Sequence, residues 1–321
     1  MSALSSLLTA APADAVVEIS PEAVSIAALT ARGQESLVQG YAVEPLPPGA
    51  VVASLTAQNI VDQKAVVDRL RTAVARLSSR PKRVALLMPD TAGRISLVRF
   101  EQVPSRADDL EQLVRWQVKK SAPFPVEDAL VTYMPAGPAA EGGTEFLVLA
   151  ARRDVVRGYE SVCEAVDMHP GLVDLATLGV VNLCLAGASG AEGDWLLVHV
   201  RPDYTSVAIV RRGAVIFFRS LSADDGDTLV DVVHQTTMYY QDRLGGTGFA
   251  RVLLTGVGRT AGSVDEVRRS LESRLGVAVQ RVDAARTATF VDRINAAPDL
   301  LAWLAPLVGT WMRMRLEAAT A

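Results

Sequence analysis

Lysine is nearly missing from this chain. There are four, Lys64, Lys82, Lys119 and Lys120, and none follows a glycine, so a P-loop is excluded. Cysteine is scarcer still. Cys163 and Cys184 stand in apolar surroundings without the close spacing of a metal or redox pair, and read as inert buried thiols of a reducing compartment. The three histidines, His169, His199 and His234, lie far apart without ligand spacing, so no metal centre is expected. No GxSxG signature marks a serine nucleophile. Basic residues are scattered and the net charge is −4, which lacks the electrostatic footprint of a nucleic-acid binder. A membrane-spanning helix needs about 20 apolar residues. The longest uncharged stretches, 45–61 and 175–191, have 17 residues each and are broken by Gly, Pro, Ser or Asn. Residues 1–13 are uncharged but have no basic n-region, the first Lys or Arg being Arg32, so they read as a loose leader into the first strand. The chain is expected to be cytoplasmic.

What is present is apolar material for large cores. Half of the 321 residues are hydrophobic, and the length suggests two lobes. Residues 15–29 read as a hairpin turning at Ser20-Pro21-Glu22, and 63–77 as a helix with Val66, Val67, Leu70, Val74 and Leu77 on one face and a capping site at 57–59. Strands are expected at 83–88 and 95–103, then at 129–134 and 145–150, with a helix at 155–166. Residues 172–185 read as a strand entering a helix. Three strands follow at 195–200, 205–210 and 214–221. A helix over 224–244, a strand at 252–254, a helix over 263–275, a strand at 277–282 and a helix over 300–316 complete the series. Several sharper readings yield to plainer ones. The spacing of residues 256–262, GVGRTAG, is one too long for GxGxxG and suits a tight strand-to-helix turn. Asp224, Asp225 and Asp227 suit a helix start. Trp303 and Trp311 belong to an apolar helical stripe.

The segment 105–135 is the most specific. Leu110, Leu113, Val114, Gln117 and Val118 form one stripe of a helix whose first turns carry Asp108, Asp109 and Glu111 and whose last carries Lys119 and Lys120. Pro123 stops that helix and Pro125 fixes an extended exit. The combination EQ-x-VRW…PFP-x-E, then the apolar strand at 147–151, a helix with Val155 and Tyr159, and a Pro170-to-Asp174 element, resembles the PilM-type proteins of type IV pilus machines. It is also similar to the cytoplasmic domain of type II secretion L-type proteins. The resemblance implies an α/β, actin-like (ribonuclease H-like) two-lobed fold with a small α+β subdomain inserted in the first lobe. The lobes are expected at 14–190, with the insert at about 83–166, and at 191–298. A C-terminal helix, 299–316, is expected to pack between the lobes or on the first.

Actin-like ATPases hold nucleotide with two Asp-x-Gly hairpins and a third glycine-rich loop, because glycine lets backbone N–H groups approach phosphate and the carboxylates sit near the metal. Here the first hairpin reads Glu18-Ile19-Ser20-Pro21, with Ser25 at a lysine position. The second reads His199-Val200-Arg201-Pro202 with Thr205, and the third keeps Gly256 and Gly258. Ser20-Pro21 removes a backbone donor, His199 removes a metal-linked charge, and Arg201 fills the turn. The resemblance therefore implies a pseudo-ATPase with no cofactor expected and ATP and magnesium disfavoured; an active or nucleotide-binding ATPase is the alternative. It also implies a scaffold at the inner membrane, peripheral through its partners, that binds the N-terminal tail of a PilN-like bitopic protein and contacts pilus motor ATPases. Trp116, Phe124 and Tyr133 are the candidate lining of the peptide groove.

Overall fold

The computed structural model describes residues 13–33, 35–139, 142–187, 192–223, 229–256, 263–291 and 298–320. In chain order the first half contains β1 (Ala15–Ile19), β2 (Ala23–Arg32), β3 (Glu35–Pro45), α1 (Gln63–Ala75) and β4 (Arg83–Met88). Then come β5 (Arg94–Phe100), α2 (Ala107–Lys119), β6 (Ala129–Pro138), β7 (Thr144–Arg152), α3 (Arg153–Glu164), β8 (His169–Leu175) and α4 (Ala176–Ala186). The second half runs β9 (Trp195–Val200), β10 (Tyr204–Arg211), β11 (Ala214–Ser222), α5 (Leu229–Leu244), β12 (Arg251–Gly256), α6 (Ser263–Leu275), β13 (Val279–Arg281), β14 (Thr289–Phe290) and α7 (Pro298–Thr320).

One plan is used twice. The first sheet has the order β14-β3-β2-β1-β4-β8 and the second β11-β10-β9-β12-β13. In each, three antiparallel strands are followed by two parallel ones. Parallel neighbours need a crossover helix, and α3 supplies it between β4 and β8 as α6 does between β12 and β13. The insert is thus confined to the link between β4 and α3, and has its own sheet of order β5-β7-β6. This narrows the expected span of 83–166, because β4 pairs with β1 and α3 packs in the core of the first sheet. The expected second lobe is also shorter at its end, since β14 returns to pair with β3.

The strands alternate between two apolar faces. Val84, Leu86 and Met88 of β4 meet α1 and α3, while Ala85 and Leu87 meet α7. Likewise Leu196 and Val198 of β9 meet α5 and α6, while Trp195 and Leu197 meet α4. Helices α4 and α7 therefore lie against the inner faces of the two sheets. In the insert, Val114 and Val118 of α2 pack on Val98, Phe100, Phe146 and Val148. Fully burying each such valine contributes about 1.5–3 kcal/mol, which is what holds a short helix in place. The cap of α1 is Asp62, whose carboxylate accepts from Ala65 N–H at 2.9 Å. Asn59, expected near the cap, is buried and donates to Tyr159 Oη at 3.2 Å instead. No helix among the described residues is long and apolar enough to cross a membrane.

Candidate functional site

The two hairpin turns that the sequence singles out face each other across the sheets. The first is closed on itself: Ser20 N–H donates to Ala23 O at 3.0 Å, and Ala23 N–H to Ser20 Oγ at 3.2 Å. Pro21 has no N–H to offer. In the second, Arg201 N–H donates to Tyr204 O at 2.8 Å. The Arg201 side chain reaches back to Glu18, forming an ion pair in which both side chains are essentially inaccessible. Its guanidinium also lies 4.2 Å from the ring centroid of Trp303 on α7. Burial pulls the Arg201 guanidinium down from its ordinary value. Ser25 stands opposite Glu18 in the ladder and is buried with it.

Gly256 ends β12 against the second turn with φ +125°, and a Cβ there would stand 1.8 Å from Val200 O. Only glycine allows that approach. Glu18, Ser20, Ser25, His199, Arg201 and Gly256 are all buried around this junction, with Thr205 half-buried at its rim. Gly258 lies outside the described residues, as does the Asp224, Asp225 and Asp227 cluster.

A second polar cluster adjoins the first and was not legible in sequence. Asp90, in a single helical turn after β4, accepts from Thr177 N–H at 3.0 Å and from the hydroxyls of Thr177 and Ser206. Thr177 Oγ1 lies 2.7 Å from His199 Nδ1. Because that hydroxyl donates to Asp90, the imidazole Nδ1 must be the donor to it. One carboxylate thus joins the end of β4 to the start of α4 and to β10 of the second sheet, with β9 reached through Thr177. The hint in sequence was an aspartate one residue beyond an apolar strand, after Pro89. Its partners, 87 and 116 positions away, gave none.

Burial pushes Asp90 up to about 6 and His199 down to about 3. For His199 the unfolded chain binds the proton first, so stability is lost as pH falls from 6.5 toward 3. For Asp90 the folded chain binds it first, so stability is gained as pH falls from about 6 toward 3.8. The two slopes oppose each other. A His199→Asn variant keeps a donor for Thr177 and lacks the imidazole slope. Relative to wild type it should gain about 1.4 kcal/mol per pH unit below pH 6.5, read from denaturant unfolding at several pH values. A stability difference independent of pH would show that His199 is accessible to protons.

A groove lies on the other side of the insert. Its wall is β6, the edge strand of the small sheet, and Met134 is 42% exposed there. Its floor and far side are formed by Leu147, Leu172, Leu178, Leu185 and Arg313, in two adjoining hollows of about 150 and 250 Å³. Arg313 of α7 pairs with the buried Asp174 at 3.1 Å. Of the three aromatic residues expected to line a groove, Tyr133 borders the smaller hollow beside Met134, whereas Phe124 and Trp116 lie elsewhere. Phe124 is buried in the core of the insert. The Tyr133 ring packs edge-on against Phe146, at 6.1 Å, on the face beneath α2. Trp116 is exposed on α2, with Lys120 Nζ 3.2 Å from its ring centroid. Tyr133 and Met134 are neighbours on β6 and alternate in face, so the Tyr133 ring turns to Phe146 while the residue still borders the hollow.

The model of the family described as type IV pilus assembly protein PilM matches residues 16–240. Among solved structures, a chain of the PilM-PilN type IV pilus biogenesis complex superposes with a TM-score of 0.77 at 16% identity, covering 95% of this chain and 98% of that one. The cytoplasmic domain of EpsL, an inner membrane component of the type II secretion system of Vibrio cholerae, matches with a TM-score of 0.49 at 12% identity, covering 96% and 94%. A Bacteroides thetaiotaomicron protein with actin-like ATPase fold and unknown function matches with a TM-score of 0.49 at 9% identity, covering 86% and 91%. The fold is that of the solved chain of the PilM-PilN complex, over nearly the whole length of both chains.

Proposed function

Because the chain belongs to the PilM family of type IV pilus assembly proteins, we propose that it is a non-hydrolysing scaffold of the pilus machine. It carries the N-terminal cytoplasmic tail of a PilN-like partner in the groove along β6, and is held at the inner membrane through that partner. The observation that carries this reading is the open edge of β6 above an apolar floor. An edge strand presents a row of backbone donors and acceptors that an extended peptide can pair with, and the apolar hollows take alternate side chains. Arg313 and Asp174 at one end supply polar contacts that fix register. The absence of hydrolysis is supported by the junction, where Glu18 and Arg201 spend their charges on each other.

The test is a fluorescence-anisotropy titration with a synthetic peptide of the N-terminal cytoplasmic tail of a PilN-like protein. Met134→Glu places a charge in the groove at an exposed position and should weaken binding about tenfold or more. Trp116→Ala, on the far face of the insert, should leave binding unchanged. The opposite pattern would move the peptide to the outer face of α2.

A further inference from the structure

We propose that this chain works as a permanently closed two-lobed body, fastened by its own Arg201 at the place where a nucleotide would otherwise bridge the lobes. Two-lobed folds open and close when a ligand contacts one arrangement better than the other. Here the bridging contact belongs to the chain. Arg201 leaves the β9–β10 turn, enters the wall of the first sheet to meet Glu18, and stacks on Trp303 of α7. It therefore touches both sheets and an intervening helix at once.

The same residues do not suit a phosphate. The turn amides of Ser20, Ala23 and Arg201 are already used within their own hairpins, and Pro21 and Pro202 have none. The Glu18 carboxylate stands where an anion would enter and is neutralised only because Arg201 is spent on it. A nucleotide entering between these turns would have to break a desolvated ion pair. Asp90 makes a second link, from the end of β4 to Ser206 of the second sheet, with Thr177 and His199 completing it. Two buried polar links at separate points restrain rotation about either one alone.

The test uses double electron–electron resonance with nitroxide labels at Lys64→Cys on α1 and Arg269→Cys on α6, both exposed. The native Cys163 and Cys184 are buried and are spared from labelling. Wild type should give one narrow distance that does not move when millimolar Mg-ATP or Mg-ADP is added. Arg201→Ala should broaden the distribution and extend it to longer distances. If that variant does not fold, Glu18→Gln, which keeps the volume and removes the charge, carries the comparison and should broaden it as well. A nucleotide-dependent shift in wild type, or variants with the wild-type distribution, would overturn the proposal. These labels report on the lobes and not on the groove, so the result is separable from that of Met134→Glu.

Discussion

Replacing Arg201 by alanine is expected to lower the unfolding free energy by about 3–5 kcal/mol, the cost of leaving a buried charge without its partner. Glu18 is 1% exposed and would have neither water nor a cation beside it. The Trp303 ring would lose its stacked guanidinium as well, a contact worth up to about 2 kcal/mol when desolvated. The pair is not expected to be a source of net stability, because both ions were stripped of water to form it. A double variant, Glu18→Leu with Arg201→Met, should therefore recover most of the loss, since apolar groups of similar volume often replace a buried pair at little cost. Urea unfolding monitored by tryptophan fluorescence measures both. A single variant within about 1 kcal/mol of wild type would mean that the ion pair is solvated, like an ordinary surface bridge.

That pairing also shows where sequence reading succeeds. Each half of the pair was visible as a departure from a hairpin pattern: a glutamate for an aspartate, and an arginine in a turn that wants glycine. Their meeting was not visible, because 183 residues separate them and only the duplicated sheet brings the two turns together. Local periodicity placed most elements well. The strands 83–88 and 195–200 and the helix 263–275 have the bounds expected. It missed β3, where Ser36, Gln39 and Gly40 dilute the apolar alternation of a strand whose burial is set by its neighbours in the sheet. It missed β14 because two residues carry no period at all.

The three aromatic residues expected to line a peptide groove sit in different surroundings. Trp116, Phe124 and Tyr133 are close in sequence, but a helix face, a core and a strand face send them in three directions. The groove along β6 sets Tyr133 beside residues with no distinctive type, such as Met134 and Leu178, drawn from elements far apart in the chain. A groove of that kind is a property of the assembled surface. The resemblance that named the family needed only residue order and spacing, whereas a groove depends on how distant elements meet.

Gly309→Ala is expected to be one of the more damaging single-methyl changes among the described residues. A Cβ at Gly309 on α7 would stand 1.9 Å from Gly179 O and 2.6 Å from Leu183 N, both backbone atoms of α4. A Cβ at Gly179 would in turn meet Pro306 O at 2.4 Å. Neither contact can be relieved by a side-chain rotation, so the two helices would have to separate. Overpacking of this sort costs about 1–3 kcal/mol where neighbours can shift, and more where they cannot. Here they cannot shift freely, because α7 is packed on the first sheet and α4 on the second. The same crossing positions both polar links: Thr177 starts α4 and holds Asp90, and Trp303 on α7 covers Arg201. Gly309→Ala should therefore lower the melting temperature by several degrees or more, about 2–4 °C per kcal/mol for a domain of 150–250 residues. It should also broaden the distance between labels on α1 and α6 as Arg201→Ala does. Gly171→Ala, at an exposed position where a Cβ meets nothing within 4 Å, is the matched control and should change neither. A melting temperature for Gly309→Ala equal to that of the control would show that α4 and α7 are not in contact, and that the lobes are set by something other than this crossing.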